Sequence, residues 1–278
     1  MDVLTTISDF RAARAALSGM LGFVPTMGYL HEGHLALVEA AATQNDHVAV
    51  SIFVNPTQFG PNEDFAGYPR DMERDLTLLR GAGVRLVFAP SVSEMYPTGF
   101  QTYVTVENVS QGLEGARRPG HFRGVATVVA KLFNIVGADR AYFGQKDAQQ
   151  VAVIRQMAAD LAFPTNVIVV PTVRAADGLA LSSRNSYLTP EQRAAAPVLY
   201  RALSAARALY ATGERRSEAL RAAMLGVLAG EPLAQVDYVS AADATTLQEI
   251  SGEADGAVLL SMAVRIGRAR LIDNLIVP

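Results

Sequence analysis

Cysteine is missing from all 278 residues. That excludes disulfides, thiolate zinc sites and a cysteine nucleophile, and it fits a reducing cytosol. Charge is also scarce. Asp, Glu, Lys and Arg make up 18% of the chain and sum to a net −3, which gives no general pull toward nucleic acid. Residues 1–14 carry acids and arginines but no apolar signal core, and no apolar run is long enough to span a bilayer. Internal repeats and low-complexity linkers are lacking as well. What the chain has instead is 50% hydrophobic residues, enough to bury a large core and to argue against wholesale disorder. Its length suits one large domain or two ordinary ones. The expectation is a soluble, cytoplasmic protein.

Hydropathy alternates between strand-like and helix-like stretches. Residues 8–17 read as a short amphipathic helix, 21–24 as a strand, and 48–54 as a continuous apolar run suited to a strand buried on both faces. Further on, 70–80 read as a helix, 84–89 as a strand, 103–106 as another strand, and 125–136 as a helix. Residues 141–143 form a short strand, followed by a helix to about 161 and a strand at 167–170. This β-α-β-α rhythm predicts a parallel sheet with right-handed crossovers, whose ligands bind at the carboxyl ends of the strands. After Pro171 the texture changes to a polar loop, two alanine-rich helices at 191–211 and 217–228, and short strands at 236–240, 257–264 and 270–276. The predicted division is a nucleotide-binding domain over 1–172 and a smaller α+β lid over 173–278.

The stretch Met27-Gly28-Tyr29-Leu30-His31-Glu32-Gly33-His34 follows the first apolar strand and opens a helical pattern. Two histidines three residues apart at a helix start share one face. They stand beside unpaired backbone amides and the positive end of the helix dipole, a place that attracts phosphate. A nucleoside triphosphate site is the expectation. Lys146, in the turn Gly144-Gln145-Lys146-Asp147, supplies a mobile point charge for phosphate. Arg184 follows Leu181-Ser182-Ser183, whose hydroxyls and amides suit phosphate oxygens. Gln58 and Gln150 are neutral amides able to orient a small polar substrate. Each has an ordinary alternative: Lys146 and Arg184 as solvated surface cations, Gln58 as a loop cap, Met27 as packing. His47 and His121 are read equally well as satisfied polar residues.

Taken together, residues 25–34, 51–59, 118–122, 143–150 and 182–185 resemble the pantoate–β-alanine ligase (pantothenate synthetase) family, in order and over the whole chain. The resemblance implies an α/β fold with a Rossmann-like parallel-sheet nucleotide-binding domain and a smaller α+β C-terminal lid, in a cytoplasmic homodimer that uses ATP and Mg²⁺ to turn pantoate into pantoyl adenylate, after which β-alanine displaces AMP. It carries ATP binding onto Met27 to His34, Gly144 to Asp147, Val173 and Leu181 to Arg184, proton donation onto His34, and pantoate binding onto Gln58 and Gln150. His31, His34, Lys146 and Arg184 are the expected catalytic set. Asp75 is the candidate Mg²⁺ ligand, from its place in the helix after Gln58. Tyr29, Gln145 and Leu181 stand where the family more often has alanine, glutamate and methionine. Two rival readings keep the fold: adenylyl transfer to another acceptor, and a non-catalytic nucleotide-binding regulator.

Overall fold

A computed structural model describes residues 1–60 and 65–278. The elements run β1 (Asp2–Leu4), α1 (Ile7–Ala15), β2 (Leu21–Thr26), α2 (Glu32–Gln44), β3 (His47–Ile52), α3 (Met72–Gly81), β4 (Leu86–Phe88), α4 (Val92–Met95), α5 (Leu113–Arg117), α6 (His121–Val136), β5 (Arg140–Gly144), α7 (Ala148–Asp160) and β6 (Asn166–Val170). Then follow α8 (Pro190–Ala195), α9 (Val198–Ala211), α10 (Ser217–Ala229), β7 (Ala234–Asp243), β8 (Val258–Ile266) and β9 (Ala269–Val277). Two compact units result. Residues 1–144 and 150–171 form the first, and 145–149 with 172–278 form the second. Residues 145–149, read from sequence as part of the first domain, thus pack with the second unit, although α7, which begins within them, continues in the first.

Among the described residues of the first unit, six strands form an all-parallel sheet in the order β1-β4-β3-β2-β5-β6. From β2 the chain steps outward through β3 to β4, then returns to the other side of β2 for β5 and β6. The reversal lies between β2 and β5, where sheets of this kind bind ligands. β2 and β5 pair only at Gly22↔Arg140 and Phe23↔Ala141, so no ladder joins their carboxyl halves. This also explains how Pro25 is accommodated in an interior strand. It faces Ser51 of β3, lies beyond the β5 ladder, and its missing N–H removes no bond on that side. One face of the sheet packs Phe10, Phe23, Phe88, Phe143 and the apolar stripe of α6. The other buries Val24, Leu30, Val38, Val50, Leu79 and Tyr142.

Two expectations need correction here. The strand read at 103–106 does not form. Val104 donates its N–H to Thr127 Oγ1 of α6 at 3.0 Å, and the exposed Tyr103 ring lies under the Arg123 guanidinium at 3.8 Å. A side-chain hydroxyl has taken the amide that a ladder would need. The single helix read at 191–211 is broken into α8 and α9 at Pro197, which has no N–H to donate. The three-residue edge strand β1 carries too little pattern to be read.

The second unit is an antiparallel sheet β7-β8-β9. α9 and α10 contribute Leu199, Leu203, Leu220 and Met224 to a core shared with Leu260, Met262 and Val264 of β8. Beside that core lies a bidentate ion pair. Arg174 Nη1 and Nη2 donate to Asp273 Oδ2 and Oδ1 at 2.6 and 2.8 Å, and the Asp273 side chain is 2% exposed. Arg174 also donates to the Gly178 and Asn274 carbonyls. Breaking such a pair strands a charge in the interior. Asp273→Ala is expected to lower the unfolding free energy of the second unit by about 3–5 kcal/mol, read by urea denaturation. A change below about 1 kcal/mol, the worth of an exposed pair, would show that the pair is solvated.

Candidate active site

The turn between β2 and α2 is held from below. Thr26 Oγ1 donates to the Ser51 carbonyl at 2.7 Å and accepts the Gly28 N–H at 3.2 Å. Gly28 has φ +81°, and a Cβ there would stand 3.0 Å from both Asp75 Oδ2 and Ile52 Cγ2; glycine is required on both counts. Tyr29 follows, also left-handed, at φ +53°. Its strain is offset by Asp75, whose Oδ2 accepts the Tyr29 N–H and Oδ1 the Leu30 N–H, each at 2.7 Å. The Leu30 side chain then anchors the turn in the core.

This arrangement reassigns Asp75. The residue is 1% exposed, and both of its oxygens are committed to backbone amides, so it does not fit the Mg²⁺ ligand role expected from sequence. No cluster of three or more His, Cys, Asp or Glu residues suited to a metal ion occurs among the described residues. The amides of Tyr29 and Leu30, within the stretch expected to bind ATP, are likewise turned inward to Asp75.

His31 is the N-cap of α2. Its Nδ1 accepts the Gly33 N–H at 3.1 Å, while His34 Nδ1 accepts the His31 N–H at 3.3 Å. The two imidazoles form a reciprocal capping box, with ring centroids 4.1 Å apart. The backbone amides of His31 and Gly33, which the sequence would leave for phosphate, are therefore capped by the rings. In exchange the tautomers are fixed. With Nδ1 acting as acceptor in both rings, a neutral imidazole carries its proton on Nε2 and presents it as a donor. Glu32 is exposed at the first helical position.

Asn55 organises the loop after β3. It is 1% exposed, and its Nδ2 donates to Gln58 Oε1 and to the Gly124 carbonyl, both at 3.1 Å. Its Oδ1 accepts from Thr57 N and Oγ1 and from Tyr96 Oη at 2.8 Å. With Gln58 Oε1 engaged, the Gln58 amide is oriented with Nε2 toward Met27 Sδ, 3.1 Å away. α6 supports the loop from behind. His121 Nδ1 lies 2.8 Å from the Gln58 carbonyl, and a Cβ at Gly124 would stand 2.3 Å from the Thr57 carbonyl oxygen, so only glycine allows this approach. Asn55, Tyr96 and Gly124 are therefore supporting residues not singled out from sequence. His121 has a supporting role too, whereas His47 contacts the Ser18 carbonyl at the surface. Gln150 stands in the first turn of α7.

In the second unit, Lys146, Ser182, Arg184, Asn185, Arg270 and Asp273 line one cleft. The Lys146 side chain is 15% exposed, with Nζ 3.6 Å from Asp147 Oδ1. Ser182 Oγ caps the short 3₁₀ turn Ser183–Tyr187 by accepting the Arg184 N–H, and Leu181 N–H donates to the Val173 carbonyl. Asn185 Oδ1 is buried with no hydrogen-bond partner among the described residues, an acceptor not anticipated from sequence.

A parallel sheet with a topological reversal, a histidine-capped helix at its carboxyl edge and separate cation-bearing turns defines an α/β nucleotide-binding class of protein. Within that class the family is specified by comparison. The family described as pantoate-beta-alanine ligase matches residues 2–276, and the chain belongs to it. The chain is 64% identical to the pantothenate synthetase of Herpetosiphon aurantiacus, over 99% of this chain and all of that one. It is 67% identical to that of Chloroflexus aurantiacus, over 99% and 97%. The crystal structure of pantothenate synthetase from Thermus thermophilus superposes with a TM-score of 0.93 at 53% identity, covering 99% of each chain. A pantoate-beta-alanine ligase from Francisella tularensis, complexed with beta-gamma ATP and beta-alanine, gives a TM-score of 0.80 at 36% identity, over 99% and 97%. Among the described residues no helix is long and apolar enough to cross a membrane.

Burial holds the Asp75 carboxyl above the ordinary aspartate range, against the pull of the Leu30 and Tyr29 amides. Because the folded value exceeds the unfolded one, protonating Asp75 favours the folded chain relative to the unfolded, so this residue does not drive acid unfolding. The double acceptance is nonetheless lost as pH falls through the raised value, and the turn loosens while the fold persists. Asp75→Asn sets an NH₂ group against one of the two amides. It should cost about 1–3 kcal/mol of stability at neutral pH and remove an acidic limb of activity lying above pH 3.8. Urea titration and a pH–rate profile check both, and an unchanged midpoint with an unchanged limb would rule out the clamp.

Proposed function

We propose that this ligase couples ATP cleavage to amide formation in two steps. A pantoate carboxylate oxygen attacks the α-phosphorus of ATP, the bond to the leaving pyrophosphate breaks, and pantoyl adenylate forms. The β-alanine amine then attacks the acyl carbon, loses a proton, and expels AMP to give pantothenate. The observation that carries this reading is the His31–His34 capping box, which holds two imidazoles as Nε2–H donors at a helix start. Support comes also from the Francisella tularensis relative, whose structure holds beta-gamma ATP and beta-alanine.

Charge explains the remaining assignments. An anionic carboxylate must approach a polyanionic triphosphate, so repulsion opposes attack. Lys146 and Arg184 lower that repulsion, and the imidazole donors of His31 and His34 follow the charge that builds on pyrophosphate, His34 serving as proton donor. One such donor is typically worth on the order of 3 kcal/mol of barrier. Ser182, Ser183, the Gly144–Asp147 turn and Val173 are assigned to nucleotide binding, and Gln58 and Gln150 to pantoate. Mg²⁺, where bound, would accompany the ATP phosphates and offset their charge; Asp75, with both oxygens bonded to the turn, is not assigned to it. The second unit is assigned the role of excluding water from the hydrolysable adenylate. A cytoplasmic homodimer completes the reading.

The mechanism is tested by its products. Turnover with ATP, pantoate and β-alanine should release AMP and pyrophosphate one for one, and pantoate alone should support ATP–pyrophosphate exchange. Stoichiometric ADP and inorganic phosphate would overturn the adenylate route, and exchange that ignores pantoate would point to a different acceptor.

Gln58→Glu separates the two substrates. Size is kept, but the oriented Nε2 donor becomes a carboxylate facing an anionic substrate where screening is poor. Losing a hydrogen bond to a charged group alone costs about 1.5–3 kcal/mol, so pantoate affinity should fall by at least tenfold while ATP binding, measured by calorimetry without pantoate, is retained. Loss of ATP affinity with normal pantoate dependence would move Gln58 to the nucleotide site.

A further inference from the structure

Residues 145–149 leave the parallel sheet at the end of β5 yet belong by packing to the second unit. One side chain makes three hydrogen bonds to that segment. Asn274 on β9 is 3% exposed. Its Nδ2 donates to two successive backbone carbonyls, Gln145 at 3.0 Å and Lys146 at 2.9 Å. Its Oδ1 accepts from Gln145 Nε2 at 3.0 Å. Both amide hydrogens and the carbonyl oxygen are thus spent on a single dipeptide 128–129 residues away in sequence. The clamp is itself anchored. The Asn274 N–H donates to Asp273 Oδ1 at 2.8 Å, and the Asn274 carbonyl accepts from Arg174, so the buried ion pair fixes the Asn274 backbone on both sides.

A lysine side chain has four rotatable methylenes and directs its charge poorly unless its backbone is held. Here the Lys146 carbonyl is tied to β9, and Lys146 lines the same cleft as Ser182 and Arg184. We propose that Asn274 is a positioning residue for the ligase reaction. It sets the Gln145–Lys146 backbone so that the Lys146 ammonium is presented with Arg184 from the C-terminal unit. The inference rests on the reading of Lys146 as a group that offsets negative charge during adenylation. Asn274 itself touches no reacting atom. A purely structural role for this buried amide makes a different forecast, since its removal would then weaken the enzyme whatever stands at position 146.

The test is a double-mutant cycle on the full chain, with single-turnover pantoyl adenylate formation as the rate. Lys146→Ala, Asn274→Ala and the double variant are compared with the parent, and hydrogen exchange is followed at residues 145–149 and in β7–β9. Asn274→Ala is expected to slow adenylation up to about a hundredfold, the penalty typical of a misplaced group. It should add less than twofold in the Lys146→Ala background. Exchange should rise at 145–149 while the β8 amides stay protected. Gln145→Ala removes one bond of the clamp from its more accessible side and should repeat the pattern at smaller amplitude; if Asn274→Ala does not fold, this variant decides the cycle. A full multiplicative loss in the double variant, or an unchanged rate in Asn274→Ala, would overturn the proposal. If Lys146→Ala alone adenylates at the parent rate, the assignment of Lys146 fails and the positioning role falls with it. That outcome is distinct from a slow Lys146→Ala combined with a multiplicative Asn274→Ala.

Discussion

A carboxylate with no access to water sits under the turn that opens α2, and the geometry of the first unit's polar residues follows from it. Asp75 reaches from α3 to accept two consecutive amides, those of Tyr29 and Leu30. Tyr29 is held in a left-handed conformation that a side chain rarely adopts, and two charge-assisted bonds are strong enough to hold it. Once that dipeptide is fixed, His31 has one way to enter the helix, and the capping box closes around Gly33 and His34. The imidazoles thus cap a helix whose preceding turn is held by a buried acid. A carboxylate used in this way spends one lone pair of each oxygen on the backbone.

The same logic governs the loop after β3. Gln58 has a free choice of amide orientation only in isolation. Asn55 removes that choice by donating to Oε1, and Tyr96 and Thr57 in turn fix Asn55. α6 can press on the loop because Gly124 has no side chain to hold it off. The Gln58 donor is thus set by a relay of polar groups that bond one another, which is the condition under which such networks rigidify rather than destabilise.

How much of this was legible in the sequence depends on range. The parallel sheet, the two histidines at a helix start, Lys146 after a short strand and the three C-terminal strands are local patterns of periodicity and turn chemistry, and they were read from residues that are neighbours in the chain. Asp75 meets its partners across 45 and 46 positions, and Asn274 meets Lys146 across 128. Nothing adjacent to either residue announces the pairing. Their short side chains carry the same local signal whether they bind metal, cap a helix or clamp a distant turn, so the sequence suggested a metal for Asp75 and nothing for Asn274. The strand expected at 103–106 failed for a related reason. Propensity saw an extended apolar segment, while the Val104 amide went to a hydroxyl on a helix.

The two units carry different kinds of polar group, and the difference has a physical rationale. Those of the first unit, His31, His34, Gln58 and Asn55, are neutral or able to be neutral, and their directions are fixed by backbone and side-chain bonds. Neutral donors discriminate by angle and distance, so rigidity is what makes them useful. The second unit supplies Lys146, Arg184 and the Arg174–Asp273 pair. Permanent cations act over longer distances and are less demanding of direction, but left unheld they are drawn to solvent. Arg174 is neutralised by Asp273, and Arg270 in the cleft wall is paired with Asp237; Lys146 and Arg184 are the cleft cations assigned to the nucleotide. Burying one ion pair beside Lys146 and Arg184 makes electrostatic sense under that assignment: Asp273 is formally balanced by Arg174, so its negative charge does not cancel the positive field that an anionic nucleotide would meet.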